Sequence, residues 1–333
     1  MKAITYAKYG PPDVLQLADV EKPVPGDDEL LIRVRAAEAT KADCELRGFR
    51  FSVNWFWLPL RIAVGITRPR RKILGGYFAG EIAAVGKDVT GFAVGDAVFG
   101  TAGLRMGAYG EYVTLPARYT IATKPHNMSF EEAAAVPLGG LNALHFMRLA
   151  QIKAGDTVLI NGAGGSIGAH AVQIAKSMGA EVTAVDKAQK AEMLERLGID
   201  HFIDYTRDNF ARAGKTYNVV FDMVPRSSYR ACLAVLKPGG RYFTGNPRLS
   251  VMLRTVLTNR FTDKHASFAF ARETVEELDT LRQMIEDGKI TSIVDRVLPM
   301  REAAKAHRLV ETEERNGAIV LSIGEPDRTS AER

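Results

Sequence analysis

Cysteine is nearly absent from this chain, and that scarcity excludes several classes at once. Only Cys44 and Cys232 occur in 333 residues, so there is no disulfide framework and no four-cysteine zinc cluster, and a reducing cytoplasm is the simplest setting. Long hydrophobic runs are missing too. The longest apolar region, Phe51 to Ile66, is interrupted by Asn54, Pro59 and Arg61 and is too short for a comfortable bilayer span, so no integral membrane segment is expected. The N-terminus alternates like a strand and lacks the apolar core and cleavage pattern of a signal peptide. Charge of one sign is modest. A net charge of +5, whose densest cluster, Arg68-Pro-Arg-Arg-Lys72, has no interleaved aromatics, is unsuited to gripping nucleic acid, and the cluster reads as a solvated loop. The six histidines (126, 145, 170, 201, 265 and 307) show no metal spacing, and no metal is expected.

What is present is an ordinary globular composition, 46% hydrophobic and 25% charged, with length enough for one large or two ordinary domains. Its most informative stretch is Asp156-Thr-Val-Leu-Ile-Asn-Gly-Ala-Gly-Gly-Ser-Ile-Gly168. Thr157 to Ile160 read as a buried strand. Gly162, Ala163, Gly164, Gly165, Ser166, Ile167 and Gly168 read as a glycine-rich turn entering a helix at Ile167 to Met178. Such a turn lets the backbone approach a diphosphate, with the helix N-terminus aimed at the charge. After Gly179, a second strand ends in Asp186, about 20 residues beyond the turn, where a ribose-binding carboxylate is expected. Dinucleotide binding follows. Asp186 favours NAD(H) by repelling a 2′-phosphate, while Lys187 and Lys190 can offset that repulsion, so NADH is slightly favoured over NADPH.

Residues 1 to about 121 look β-rich, with short apolar runs alternating with Gly, Pro and Asp. From about 122 to 270 the rhythm changes to strand then helix, with strands near 157–160, 182–185, 202–203, 218–224 and 241–244, which implies a parallel, doubly wound sheet. Arg241 and the Gly245-Asn246 turn belong to the last of these strands and are expected to approach the cofactor. Beyond Thr274 the pattern predicts an amphipathic helix ending at Gly288, a strand at 292–298, a helix at 301–311 and a strand at 318–323, all returning to the first domain. The polar tail 324–333 is expected to fray. The expected division is therefore 1–121 with 271–333, and 122–270.

Six ordered motifs make the chain resemble a known family. They are Arg33-Val-Arg-Ala-Ala-Glu-Ala-Thr-Lys-Ala-Asp43, Ala79-Gly-Glu-Ile-Ala-Ala-Val-Gly86, Val94-Gly-Asp-Ala-Val-Phe-Gly100, Gly107-Ala-Tyr-Gly-Glu-Tyr-Val113, Ser129-Phe-Glu-Glu-Ala-Ala-Ala-Val-Pro137 and Leu236-Lys-Pro-Gly-Gly-Arg241, together with the glycine turn. The chain resembles the zinc-independent branch of the medium-chain dehydrogenase/reductase superfamily, the quinone oxidoreductase-like proteins. That resemblance implies an α/β protein with a GroES-like β-barrel domain and a Rossmann domain, nicotinamide lying between them, and a homodimer.

The resemblance also implies the chemistry. Zinc-dependent relatives bind catalytic zinc through a Cys, a Gly-His-Glu motif and a later Cys, whereas here Thr40, Gly76 and Tyr77 stand at the first Cys and the His-Glu places. Without zinc, hydride transfer from NAD(P)H to a quinone or an α,β-unsaturated carbonyl is favoured over ketone–alcohol exchange, because charge spreads onto a distant oxygen that a hydroxyl can stabilise. Thr40, Tyr77 and Asp43 are the catalytic candidates by alignment. Their alternative roles are a core aromatic for Tyr77 and a helix or turn cap for Asp43. The family commonly has Asn at the Thr40 place and Asp at the Tyr77 place, so a changed substrate preference is implied. Trp55 and Trp57 lie in an aromatic segment that in the family overhangs the substrate, and they favour a small-molecule hydrophobic substrate that is flat or long; a dimer contact or a membrane-surface dock is the other role open to this segment. Leu138 to Asn142 are expected beside the nicotinamide, with Asn142 where the family usually has Thr. Two other functions stay open at this point: a zinc-free alcohol dehydrogenase of one biosynthetic intermediate, and a nucleotide-binding sensor without significant turnover.

Overall fold

Alternating β-branched and small residues in the first third build strands rather than helices. In the computed structural model, which describes residues 1–51, 56–245, 247–269 and 271–324, two compact units emerge, one of residues 1–51, 59–137 and 292–333 and one of 52–58 and 138–291.

In the first unit, β1 (Lys2–Thr5) and β2 (Gln16–Asp19) form an antiparallel pair. The long β3 (Glu29–Ala39) ends at Thr40, which caps α1 (Lys41–Gly48). Next come α2 (Trp57–Val64), which belongs to this unit from Pro59 onward, β4 (Tyr77–Val85), β5 (Ala97–Thr101), β6 (Tyr112–Pro116), β7 (Ile121–Thr123) and the short α3 (Phe130–Ala134). β3 is the organising strand: β4, β6 and the last strand, β15 (Ala318–Ser322), all pair with it antiparallel. Its residues Leu30, Ile32, Val34, Ala37 and Ala39 are therefore buried, and they join Phe78, Ile82, Val98, Tyr109, Leu115 and Ile319 in one core. This is a GroES-like arrangement.

α4 (Val136–Leu149) leads into the second unit, which contains β8 (Thr157–Asn161), α5 (Ser166–Ser177), β9 (Glu181–Asp186), α6 (Ala191–Arg196), β10 (His201–Asp204), β11 (Tyr217–Asp222), α7 (Tyr229–Ala234), β12 (Leu236–Thr244), α8 (Leu249–Phe261), β13 (His265–Phe268) and α9 (Val275–Glu286). The six strands form one parallel sheet in the order β10-β9-β8-β11-β12-β13. This is the doubly wound dinucleotide-binding order, with its switch point between β8 and β11. The chain then returns to the first unit as β14 (Val294–Pro299), α10 (Ala303–Thr312) and β15 (Ala318–Ser322).

The units divide after 137 and after 291, later in both cases than the composition shift after 121 and 270 suggests. α9 explains the second difference. Leu278, Leu281 and Ile285 are buried, and Glu277 and Thr280 of α9 bond His145 and Arg148 of α4, so α9 is part of the nucleotide unit although its sequence reads only as an amphipathic helix.

Candidate nucleotide and substrate sites

In the second unit, β8 ends at Asn161 and the chain turns through Gly162 at φ +85°. Gly162 and Ala163 N–H donate to the Val185 carbonyl at 3.0 and 3.2 Å, which fixes the turn beside the end of β9. Gly168 is required by packing: a Cβ there would stand 2.2 Å from Gly162 O and 2.7 Å from Ala163 Cα. The first intrahelical bond of α5 runs from Ala169 N–H to Gly165 O at 2.9 Å, so the N–H groups of Ser166, Ile167 and Gly168 have no acceptor within the helix. Ser166 Oγ is buried and, among the described residues, finds no hydrogen-bond partner. N–H groups without an intrahelical acceptor, a helix dipole and an orphaned hydroxyl in one turn fit the diphosphate of a dinucleotide.

Asp186 ends β9 and is buried. Its carboxylate accepts from Gly164 N–H (2.7 Å) and Lys187 N–H (2.8 Å), with Lys190 Nζ at 3.6 Å. The Lys190 stem lies against the turn, since a Cβ on Gly164 would come within 2.3 Å of Lys190 Cδ. The carboxylate and the ammonium expected to decide coenzyme choice are therefore neighbours. Gly245 follows β12 and faces Met223. Asn142 directs its amide to its own helix, donating to Leu138 O at 2.9 Å. His170 Nδ1 donates to Ser166 O at 2.8 Å, and burial keeps its pKa below the usual value. Asn246 and Trp55 lie outside the described residues.

Arg241 does not approach this edge. It sits at the opposite end of the sheet, bonding the Ala150 and Gln151 carbonyls and Asp156 Oδ2 (2.8 Å) ahead of β8. The reason is strand length: β12 begins at Leu236, so Arg241 pairs with Val219, early in β11, whereas Thr244 pairs with Asp222 at the ligand edge. Asp222 is the residue that sequence reasoning missed. Almost wholly buried, it accepts from Asn161 Nδ2 (2.9 Å), Val224 N–H (3.1 Å), Tyr242 OH (3.0 Å) and Ser227 Oγ, with Cys232 Sγ at 3.7 Å. Burial pushes its pKa up and these donors oppose the shift. The Asn161–Asp222 bond ties the ends of β8 and β11 together across the switch point. The rule that found Asp186, an acidic residue closing a strand at the ligand edge, also marks Asp222.

In the first unit, Thr40 and Asp43 form a capping box at the start of α1. Thr40 Oγ1 accepts from Asp43 N–H (3.1 Å) and donates to Asp43 Oδ2 (2.6 Å). Asp43 also accepts from Thr40 N–H (3.1 Å), Gly75 N–H (3.0 Å) and Tyr109 OH. Desolvation raises its pKa and the four donors oppose the shift. Behind Tyr109 lies a chain absent from the sequence-based reading. Tyr109 OH meets His307 Nε2 at 3.1 Å, and His307 Nδ1 meets Arg47 at 3.1 Å, while Arg47 in turn pairs with Glu311. Because Arg47 can only donate, Nδ1 accepts, and the imidazole proton is on Nε2, facing Tyr109. Burial and the guanidinium depress His307 to a pKa of about 3. Tyr109 and His307 are 198 positions apart, and no local pattern connects them. Tyr77 opens β4, half-buried and paired with Thr101. Trp57 begins α2 and is 43% exposed. Among the described residues, no group of three His, Cys, Asp or Glu is placed to hold a metal, and no helix is long and apolar enough to cross a membrane.

Comparison with known proteins agrees with this architecture. Residues 26–126 match the alcohol dehydrogenase GroES-like domain family and residues 197–321 the zinc-binding dehydrogenase family. A quinone oxidoreductase of Pseudomonas aeruginosa is 31% identical over 96% of this chain and 99% of its own length. A 2-methylene-furan-3-one reductase of Solanum lycopersicum is 30% identical over 96% of this chain and 79% of its own. The solved quinone oxidoreductase of Coxiella burnetii superposes with a TM-score of 0.85 at 29% identity, covering 97% of this chain and 99% of that one. The chain belongs to the quinone oxidoreductase-like, zinc-independent branch of the medium-chain dehydrogenase/reductase superfamily. It is an NAD(P)-dependent oxidoreductase.

Proposed function

We propose that this protein is a zinc-independent NAD(P)H-dependent reductase that transfers hydride to a quinone or an α,β-unsaturated carbonyl. The observation that carries the reading is the turn after β8, where an orphaned Ser166 hydroxyl and the open N–H groups of α5 stand beside Asp186. Quinone and enone reductases among the relatives support the acceptor class. Reduced nicotinamide supplies the hydride at C4 when bound. Ser166 and the N–H groups of Ile167 and Gly168 hold the diphosphate, and Asp186 accepts from the ribose 2′-OH. Lys190 sits close enough to Asp186 to offset repulsion of a 2′-phosphate, so NADH is preferred over NADPH by a small margin.

Thr40 has its hydroxyl proton committed to Asp43, which assigns it and Asp43 to fixing α1. The Tyr77 hydroxyl is then the candidate donor to the acceptor oxygen, where one positioned donor stabilises developing negative charge. Hydride adds to the β-carbon of an enone, or to a quinone, and a proton from water completes the reduction. The partner is a small hydrophobic molecule, in a cytoplasmic setting.

We also infer a homodimer through α8. Its buried face carries Thr255 and Thr258 while Leu249, Leu253, Val256, Leu257 and Phe261 are exposed, the reverse of a helix that faces only water. Asn259 bonds both backbone groups of Ala266 on edge strand β13, which points to the helix face rather than the strand edge as the contact.

The test is oxidation of NADH and NADPH by the chelator-treated protein against quinones, alkenals and cyclic enones, with simple ketones as controls. Turnover of enones or quinones is expected. Nucleotide binding with no turnover of any acceptor would instead support the sensor, and reversible alcohol oxidation would support the alcohol dehydrogenase.

A further inference from the structure

α2 inverts the usual economy of a globular protein. Seven of its eight residues, Trp57-Leu-Pro-Leu-Arg-Ile-Ala-Val64, are apolar, yet none is buried. Leu58 is 61% exposed and Ile62 52%, and Ile66, just beyond the helix, is 61% exposed. The helix is nevertheless fixed at its C-terminal half. The Arg61 guanidinium lies 4.2 Å from the Tyr9 ring centroid and 4.1 Å from that of Phe49, and Tyr9 OH donates to Gly65 O at 2.8 Å. With Arg61 turned inward onto the aromatic rings, Leu58 and Ile62 face water.

The chain then doubles back. Gly65 adopts φ +126°, and a Cβ there would strike Arg68 O at 2.0 Å, so only glycine permits the turn. Arg70 N–H donates to Val64 O at 2.9 Å, which sets the exposed cations Arg68, Arg70, Arg71 and Lys72 against the end of the apolar helix. From residue 46 to residue 80 the sequence contains no acidic residue and seven Lys or Arg. An exposed apolar helix beside a cationic loop is the composition of a segment that lies in a lipid interface, apolar side chains among the acyl chains and cations at the headgroups.

We propose that α2 and the loop Arg68–Lys72 form a docking surface for anionic lipid bilayers. The charge selects the occupant: an apolar self-contact would bring two cationic loops together, whereas an anionic surface neutralises them. The inference deepens the hydrophobic-acceptor reading and rests on it only for the substrate, a bilayer-borne quinone reached by a docked enzyme.

The test is cosedimentation of the full-length protein with vesicles of phosphatidylcholine alone and of phosphatidylcholine mixed with phosphatidylglycerol. Tryptophan emission provides a second readout, because both tryptophans, Trp55 and Trp57, belong to this segment. Expected are binding to the mixed vesicles only, a blue shift on binding, and loss of both at high salt. R68E with R71E should weaken binding on the order of a hundredfold, and I62S with I66S should abolish the blue shift. Equal binding to both vesicle types, no binding at low salt, or full binding by the charge-reversed protein would overturn the proposal. So would conversion of a dimer to a monomer by I62S with I66S in sedimentation velocity, which would make the face a contact between two copies. Turnover of a water-soluble quinone without vesicles reads the enzymatic assignment separately, so failure of one is distinguishable from failure of the other.

Discussion

Gly168→Ala tests whether the turn after β8 is shaped by contact or merely by sequence habit. The added Cβ would stand 2.2 Å from Gly162 O and 2.7 Å from Ala163 Cα, so α5 and the turn must separate by about 1 Å to reach ordinary contact. Both obstructing groups are backbone, and no side-chain rotation relieves them. Overpacking of this kind costs about 1–3 kcal/mol, and the lower entropy of an unfolded chain with Ala returns only about 0.4–1 kcal/mol. Because the overlap is with rigid backbone, the cost falls at the upper end of that range, and a net loss of about 2 kcal/mol corresponds to a Tm drop of roughly 4–8 °C for a unit of this size. The same displacement moves the N–H groups of Ser166 and Ile167, so nucleotide Kd should rise at least about tenfold, equivalent to about 1.4 kcal/mol. Gly165→Ala is the matched control. Its nearest obstruction is Gly162 O at 3.7 Å and its φ is −86°, so stability should change by under about 1 kcal/mol. Calorimetry and NADH fluorescence titration measure both variants. A Gly168→Ala protein with unchanged Tm and Kd would refute the reasoning.

The buried His307 gives a pH prediction. Its folded pKa of about 3 lies below the unfolded value of 6.5, so its contribution is complete above pH 6.5 and is lost as pH falls toward 3, where the unfolded chain gains a proton that the fold refuses. The slope approaches about 1.4 kcal/mol per pH unit below pH 6.5, so between about pH 8 and about pH 5 the wild type should lose about 2 kcal/mol more than His307→Gln in urea unfolding; equal losses would count against the buried neutral imidazole. Arg241→Met should destabilise the protein by roughly 2 kcal/mol through its lost bonds to Asp156 and two carbonyls while leaving nucleotide Kd within about twofold, and a large Kd change would return Arg241 to the cofactor edge. Asp222→Asn places an amide NH₂ among hydroxyl and thiol donors, and chemical denaturation should show a loss of about 2–3 kcal/mol. Lys190→Ala should widen the NADH preference in kcat/KM and Asp186→Ser should narrow it, and the opposite order would overturn their assigned roles.

The sequence was most legible where function is compressed into a few consecutive residues. The turn from Gly162 to Gly168 and the strand ending at Asp186 stand where their spacing predicts, because strand, turn and helix start are local features. The helix expected at 167–178 runs from Ser166 to Ser177. Arg241 was misplaced because Pro238-Gly-Gly240 reads as a break, whereas β12 passes through it from Leu236, moving Arg241 away from the strand's end. α9 reads as an amphipathic helix without naming its partner, and only bonds to α4 assign its unit. The network behind Asp43 was illegible for a stronger reason. Tyr109 and His307 come from distant parts of the chain, and a histidine that becomes a buried hydrogen-bond relay looks the same in sequence as one in water.

The two cysteines carry one more consequence. Cys44 and Cys232 are both buried, and burial, with Asp43 beside one and Asp222 beside the other, drives each thiol's pKa far up. The thiolate is the reactive form, and quinones and enones are electrophiles that alkylate thiolates. A reductase of such compounds meets its own potential inactivator at every turnover. With both sulfurs protonated inside the two cores, the folded chain offers these electrophiles no nucleophilic sulfur, so it should outlast substrates that would poison an enzyme with an exposed thiol.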